Sequence, residues 1–199
     1  LITFVGTIPN RLNPKKIVIT GGPSTGKTSL IERLGKEGFH CFPEVIRSMT
    51  LDAKNEAGLS NFTTNPIAVV PDPLGFSRKI MDARMQHFKE SAAMAGPIVF
   101  FDRGIPDVLA YMDYFNQEYG PDFIDALESH RYDSIFLLPM WQEIYTSDSE
   151  RFESYEEALE IHRLLHRTYT RFGYRVVEVP KDTIDRRVTF IKDLLNREK

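Results

Sequence analysis

Cysteine is almost missing from this sequence: Cys41 is the only one in 199 residues. A single cysteine excludes an intrachain disulfide and a Cys-rich zinc site. Cys41 falls in the apolar stretch Phe39–Phe42, where a free thiol reads as an inert core residue rather than a nucleophile. Long hydrophobic runs are missing too. The longest, Ile135–Trp141, is interrupted by Pro139 and falls far short of the roughly 20 residues that a membrane helix needs. The apolar start Leu1–Val5 has no basic region ahead of it and is too short for a secretory signal. An excess of one charge is the third absence. Lys and Arg number 25 against 28 Asp and Glu, a formal net charge of −3. That balance speaks against a general nucleic-acid binder, which carries a basic excess. The expectation is a cytoplasmic protein with no transmembrane segment and no nucleic-acid partner.

What is present is ordinary for a soluble globular protein: 42% hydrophobic and 27% charged residues. The length suits one domain with an inserted lid. Residues 1–14 are expected to be an N-terminal extension, and 15–199 the domain. Strand and helix signals alternate from Lys16 onward. The β-branched run Ile17–Thr20, bounded by Gly21 and Gly22, predicts a buried strand, and Lys27–Lys36 a helix with Leu30, Ile31 and Leu34 on one face. Strands are then expected at Phe39–Phe42, Pro97–Phe101, Ser134–Leu138 and Arg175–Val179. Helices are expected at Glu44–Lys54, Phe76–Met94, Ile105–Phe115, Pro121–His130 and Tyr155–Phe172, with a last one capped by Thr183. The Gly- and Pro-rich stretch Gly58–Gly75 reads as a long connection. The apolar stripe of the Tyr155–Phe172 helix is read as Tyr155, Leu159, His162, Leu165, Tyr169 and Phe172. Short apolar strands each followed by a helix predict an α/β parallel sheet covered on both faces. Ligands of such sheets bind at the carboxyl ends of the strands.

At the end of the first strand stands Gly21-Gly22-Pro23-Ser24-Thr25-Gly26-Lys27-Thr28, followed by Ser29. It matches the phosphate-loop pattern G-x-x-x-x-G-K-[ST] at every fixed position. The chemistry needs these residue types. Glycines let the backbone turn its N–H groups onto phosphate oxygens, and the helix that starts near Lys27 adds a partial positive charge. Lys27 is suited to the β- and γ-phosphates, and the Thr28 hydroxyl to Mg²⁺. A strand before the loop and a helix after it supply the context that makes the match specific.

Second candidates follow other strands. Asp102 closes the apolar run Ile98–Phe101, the pattern of a carboxylate that holds Mg²⁺, although an Asp there can also cap the next helix. Arg103 can point to the transferred phosphoryl or the acceptor, or make a structural ion pair. Glu44, after Phe42 and Pro43, is placed to take a proton from an attacking hydroxyl. Arg47, three residues on, can hold the acceptor, or simply pair with Glu44 on an exposed face. Asp148, Glu150 and Arg151 lie where a closing lid, about 141–158, would sit. Arg163, Arg167 and Arg171 read as a solvated helix face, and the His162/His166 pair lacks the H-E-x-x-H pattern of a zinc site.

Together the segments I-T-G-G-P-S-T-G-K-T-S-L-I, F-P-E-V-I-R, F-F-D-R-G-I-P-D-V-L-A-Y, D-S-E-R-F-E-S-Y-E-E-A and G-Y-R-V-V-E-V-P-K carry a resemblance. Over nearly all of Lys16–Leu195 the sequence resembles the AAA-domain family of P-loop ATPases, which includes the nicotinamide-riboside kinase domain of NadR-type proteins. The resemblance implies a P-loop NTPase of three-layer α/β/α form, with a kinase-like five-stranded parallel sheet in the order 2-3-1-4-5 and a helical lid. It also implies ATP as nucleotide, Mg²⁺ as metal, and a substrate-facing role for Glu44 and Arg47. Arg103 and Arg151 match the arginine after the third-strand carboxylate and the lid arginine, and Val179-Pro180-Lys181 the segment that encloses the base. The D-R-G-I-P-D segment departs from NadR-type kinases, so the acceptor does not carry over.

Three functions compete. The first is a phosphotransferase that moves the γ-phosphoryl of ATP to a hydroxyl of a small nucleoside-like or other metabolite. The second is a nucleotide-dependent switch, an ATPase or GTPase whose readout is a protein or lipid partner. The third, a nucleic-acid enzyme, is disfavoured by the charge balance. The guanine motif N-K-x-D is missing from the sequence, which favours adenine. The acceptor and the oligomeric state are left open at this level.

Overall fold

Three strands adjacent in the sheet build the centre of the molecule: β1 (Lys15–Gly21), β3 (Ile98–Asp102) and β4 (Ser134–Leu138). Successive side chains on a strand point to opposite faces, and here both faces are covered. Ile17 and Ile19, Phe100, and Phe136 and Leu138 point to one face. Val18, Val99, Phe101 and Ile135 point to the other. Sequences destined for such strands must be apolar at every position rather than at alternate ones. The structure, a computed structural model, describes residues 13–46, 70–145 and 153–197.

All pairings are parallel, and the order is β2-β3-β1-β4-β5, with β2 (His40–Phe42) and β5 (Val176–Glu178) as short edges. This is the predicted five-stranded arrangement. On one face lie α1 (Lys27–Lys36) and α6 (Ile184–Arg197), which contribute Leu30, Ile31 and Leu34, and Val188, Ile191 and Leu195. On the other lie α2 (Pro73–Glu90), α3 (Pro106–Tyr114), α4 (Pro121–Ser129) and α5 (Tyr155–Arg171). Each fully buried Ile, Leu or Phe in these layers contributes roughly 1.5–3 kcal/mol.

Three expectations are corrected. Helix α2 starts at Pro73 rather than Phe76, because the Asp72 side chain accepts from the Gly75 N–H at 2.9 Å and Pro73 takes the first helical position. The buried line of α5 runs through Ala158, Ile161, Leu164, Leu165, Thr168 and Tyr169. It is rotated from the expected stripe because the helix packs on Ala110 of α3 as well as on Leu137 of the sheet. Cys41 is half-buried on the edge strand rather than in the core, and burial pushes its thiol up to about 11. The start of α5 is fixed by a reciprocal cap: Ser154 accepts from the Glu157 N–H, and Glu157 from the Ser154 N–H. Among the described residues no helix is long and apolar enough to cross a membrane.

Candidate functional site

A parallel sheet ends all its strands along one edge. The register sets Ile19 opposite Asp102, Gly21 opposite Leu138 and Phe42 opposite Phe101. The residues after β1, β2 and β3 therefore meet, although Gly21, Glu44 and Asp102 are far apart in sequence. Gly21–Ser29 wraps from β1 into α1, as the pattern required. Gly26 stands at the N-cap of α1 with φ 87°, the left-handed region that glycine enters without cost. Gly22 is needed for another reason. A Cβ there would lie 3.0 Å from the Ala158 carbonyl oxygen and from the Met140 sulfur.

Lys27 is buried and folds back over the loop, donating to the Gly22 carbonyl at 2.7 Å. Burial lowers its ammonium to about 7, and the Arg103 charge adds to that effect, while Asp102, Glu44 and Asp107 oppose it. An anionic phosphate in the loop would favour the charged form.

Across the loop, Arg103 links four partners. Its Nε donates to Glu44 Oε2 at 2.7 Å, and its Nη1 to the Gly21 carbonyl and to Asp107 Oδ1, both at 3.3 Å. The guanidinium carbon stands 5.2 Å from the Tyr111 ring centre. The Arg103 backbone has φ 72°, a conformation that costs an ordinary residue roughly 1–2 kcal/mol. Holding it there aims the side chain into the site. Glu44 also lies 3.5 Å from Arg84. The phosphate loop, Glu44, Arg103 and Tyr111 line one cleft of about 220 Å³, which Glu153 also borders.

Asp102 is 7% exposed, and its Oδ1 is buried with no hydrogen-bond partner among the described residues. Burial raises its carboxyl to about 6; Glu44 adds to the rise, while Lys27 and Arg103 oppose it. An orphaned carboxylate oxygen within the electrostatic reach of Lys27, together with the hydroxyl of Thr28 on the loop, offers hard oxygen donors. Such donors fit Mg²⁺, which takes one or two protein oxygens and completes its shell with phosphate and water.

The predicted residues Gly21, Gly22, Pro23, Ser24, Thr25, Gly26, Lys27, Thr28, Ser29, Glu44, Asp102 and Arg103 thus lie along one strand-end edge. Arg47 and Arg151 lie outside the described residues, as do Asp148, Glu150 and most of the expected Glu44–Lys54 helix and Gly58–Gly75 connection. Of the lid segment, a 3-10 turn at Gln142–Ile144 and the start of α5 are described.

Sequence reasoning missed Asp107 and Arg84. Asp107 is fully buried and accepts from Thr20 Oγ1 at 2.6 Å, from the Gly104 N–H at 2.9 Å, from Arg103 and from the Tyr169 hydroxyl. Burial alone would raise its pKa, but Arg84, Arg103 and the two hydroxyl bonds hold it below the usual carboxylate range. Arg84 is 4% exposed and donates to the Gly104 carbonyl at 2.7 Å. Their sequence signal was a charge among apolar neighbours: Asp107 within Ile105–Ala110, and Arg84 four residues after Ile80.

Comparisons with known proteins agree with the fold. The fold is similar to that of a NadR protein in complex with NR, with a TM-score of 0.69 and 19% identity, over 94% of this chain and 52% of NadR. The chain therefore spans about half the length of NadR. It is also similar to deoxyadenosine kinase from M. mycoides (TM-score 0.66, 15% identity, 92% of this chain and 99% of that one). Thymidylate kinase from Candida albicans is a third similar structure (TM-score 0.67, 16% identity, 94% and 92%). No match was found among curated proteins. Residues 16–187 match the AAA domain family, and the chain belongs to it.

Proposed function

We propose that this protein is a Mg²⁺-dependent phosphotransferase that moves the γ-phosphoryl of ATP to a hydroxyl of a small, nucleoside-like metabolite. The observation that carries the reading is the cleft in which Glu44, held by Arg103 at 2.7 Å, faces the phosphate loop. A loop that only binds nucleotide needs no oriented carboxylate opposite the phosphates. The fold it shares with a deoxyadenosine kinase supports a nucleoside acceptor, and the lack of N-K-x-D supports adenine.

In this reading the acceptor oxygen attacks the γ-phosphorus. A new O–P bond forms, the bond to the β–γ bridging oxygen breaks, and ADP leaves with its electron pair. The acceptor proton passes to a Glu44 carboxylate oxygen. Lys27 and the loop N–H groups neutralise the phosphates, and Arg103 adds positive charge beside the transferred group. Thr28 and Asp102 would hold Mg²⁺, which supplies further charge neutralisation on the β- and γ-phosphates.

The test is ADP release from Mg·ATP across a panel of nucleosides and vitamin-like alcohols, with Lys27→Ala as control. Acceptor-dependent ADP release that Lys27→Ala abolishes is the expected result. ATP consumption that no acceptor changes would overturn the transferase reading in favour of a nucleotide-dependent switch.

A further inference from the structure

Arg187 has no part in the chemistry just described, yet it is 1% exposed and reaches the phosphate loop from behind. It projects from the first turns of α6. Its Nε donates to the Pro180 carbonyl at 3.1 Å and its Nη1 to the Thr25 carbonyl at 3.0 Å. Its guanidinium carbon stands 5.1 Å from the centre of the Trp141 ring. Its Nη2 is buried without a hydrogen-bond partner among the described residues. One side chain thus ties together the phosphate loop, the turn after β5 and the segment after β4. Burying a guanidinium is costly unless its donors are used, so its presence here calls for a role.

Peptide geometry supplies one. In a planar trans peptide the C=O and the following N–H point in opposite directions, and no described peptide is cis. Arg187 draws the Thr25 carbonyl toward α6, so the Gly26 N–H of the same peptide points away from α6. Nothing in Gly26 itself prevents this peptide from turning over. A flip rotates ψ of Thr25 and φ of Gly26, and glycine accepts either sign of φ. The observed φ of 87° therefore needs an external hold. Arg187 is close enough to provide it: a Cβ on Gly26 would lie 3.3 Å from Nη1.

We propose that Arg187 is a positioning residue that locks the Thr25–Gly26 peptide with its N–H presented to the phosphates of the bound nucleotide. The inference rests on the nucleotide-binding reading of the loop and adds to it a residue 162 positions away from Thr25. The lock acts on phosphate, not on base or acceptor. Its loss should therefore weaken every ligand that carries the phosphate chain, including one with no base at all.

The experiment measures the affinity of wild type, Arg187→Met and Arg187→Lys for Mg·ATP and for Mg·tripolyphosphate by calorimetry. Emission from Trp141, the one tryptophan in the sequence, gives a second binding signal. Arg187→Met should weaken both ligands in parallel by roughly tenfold or more, the size of one hydrogen bond from a charged donor. Arg187→Lys keeps a donor that reaches one carbonyl and should recover part of both losses. Arg187→Met binding tripolyphosphate as tightly as wild type overturns the proposal, even if ATP affinity falls, because the residue would then act on the base. If Arg187→Met does not fold, Arg187→Lys decides: unchanged affinity for tripolyphosphate overturns the lock, and a parallel loss supports it. Wild type that binds neither probe removes the nucleotide reading itself and this inference with it.

Discussion

Arg103 Nε and Glu44 Oε2 stand 2.7 Å apart across 59 residues of sequence. Neither side chain is placed by its own segment alone. Glu44 follows the edge strand β2, and Arg103 follows β3 in a left-handed conformation that points it back over the loop. Because Arg103 also holds the Gly21 carbonyl, the carboxylate is fixed relative to the phosphate loop. Arg84 approaches the second carboxylate oxygen, Oε1, at 3.5 Å. The carboxylate is therefore held from both oxygens, unlike an exposed surface ion pair, and this is the arrangement that the proposed base role uses.

Glu44→Gln tests that assignment. The amide keeps the shape but cannot take up the acceptor proton. Acceptor-dependent turnover should fall roughly 10²–10⁴-fold, the usual contribution of a general base. ATP affinity should hold within a few fold. Steady-state kinetics with nucleotide binding measured in parallel checks the split. An acceptor-dependent rate that survives the substitution removes Glu44 as base.

Asp107 is the anchor beneath the site. Asp107→Asn removes the charge that compensates Arg84 and Arg103, and its new NH2 group must face donors on either side, Thr20 and Arg103 or Gly104 and Tyr169. Leaving a buried charge unpaired costs roughly 3–5 kcal/mol, so denaturant midpoints should drop clearly. The pH dependence has a definite sign. The Asp107 pKa is held below the ordinary aspartate value of 3.8, so its stabilisation is full above that pH and is lost as pH falls through the lower native pKa. The gap between wild type and Asp107→Asn should therefore narrow below pH 3.8, which melts at several acid pH values would show.

Gly104→Ala should strike the same network from the backbone side. A Cβ would lie 2.5 Å from the Tyr169 hydroxyl, 3.1 Å from Val18 Cγ2 and 3.2 Å from a Tyr132 ring carbon. The Tyr169 hydroxyl is bonded to Asp107 and Tyr169 is fully buried, so it has little freedom to yield. Overpacking of this kind costs roughly 1–3 kcal/mol. Thermal melts of the variant should show a lower midpoint, and an unchanged one would mean that Tyr169 relaxes at no cost.

Much of this was legible in the sequence because its causes are local. Ile17–Ile19, Ile98–Phe101 and Ile135–Leu138 are apolar at every position, which only a strand covered on both faces requires. The phosphate loop is legible because backbone geometry dictates its glycines. Asp107, Arg84 and Arg187 were not, because each is fixed by partners far away in sequence: Asp107 by Tyr169 and Arg187 by Thr25. A periodicity argument treats a charge on an apolar helix face as an exception, whereas here those charges tie the loop to the helices. The α5 stripe was misread for a similar reason. A helix that packs on both Ala110 and Leu137 buries a face that a single-sided template does not find.

Asp102 should separate stability from function. Its Oδ1 is buried and unpartnered among the described residues, an arrangement that costs folding free energy until a ligand uses it. Asp102→Asn removes a buried charge while keeping the shape, so the protein without nucleotide should become more stable at neutral pH by roughly 1–3 kcal/mol. Mg²⁺-dependent nucleotide binding should weaken at the same time, because one oxygen ligand becomes an amide. Melting curves of both proteins, with and without Mg·ATP, check the two effects together. The variant should melt higher alone and gain less from the ligand. A variant that melts lower alone would show that the carboxylate is a structural partner in this fold rather than a reserved metal ligand.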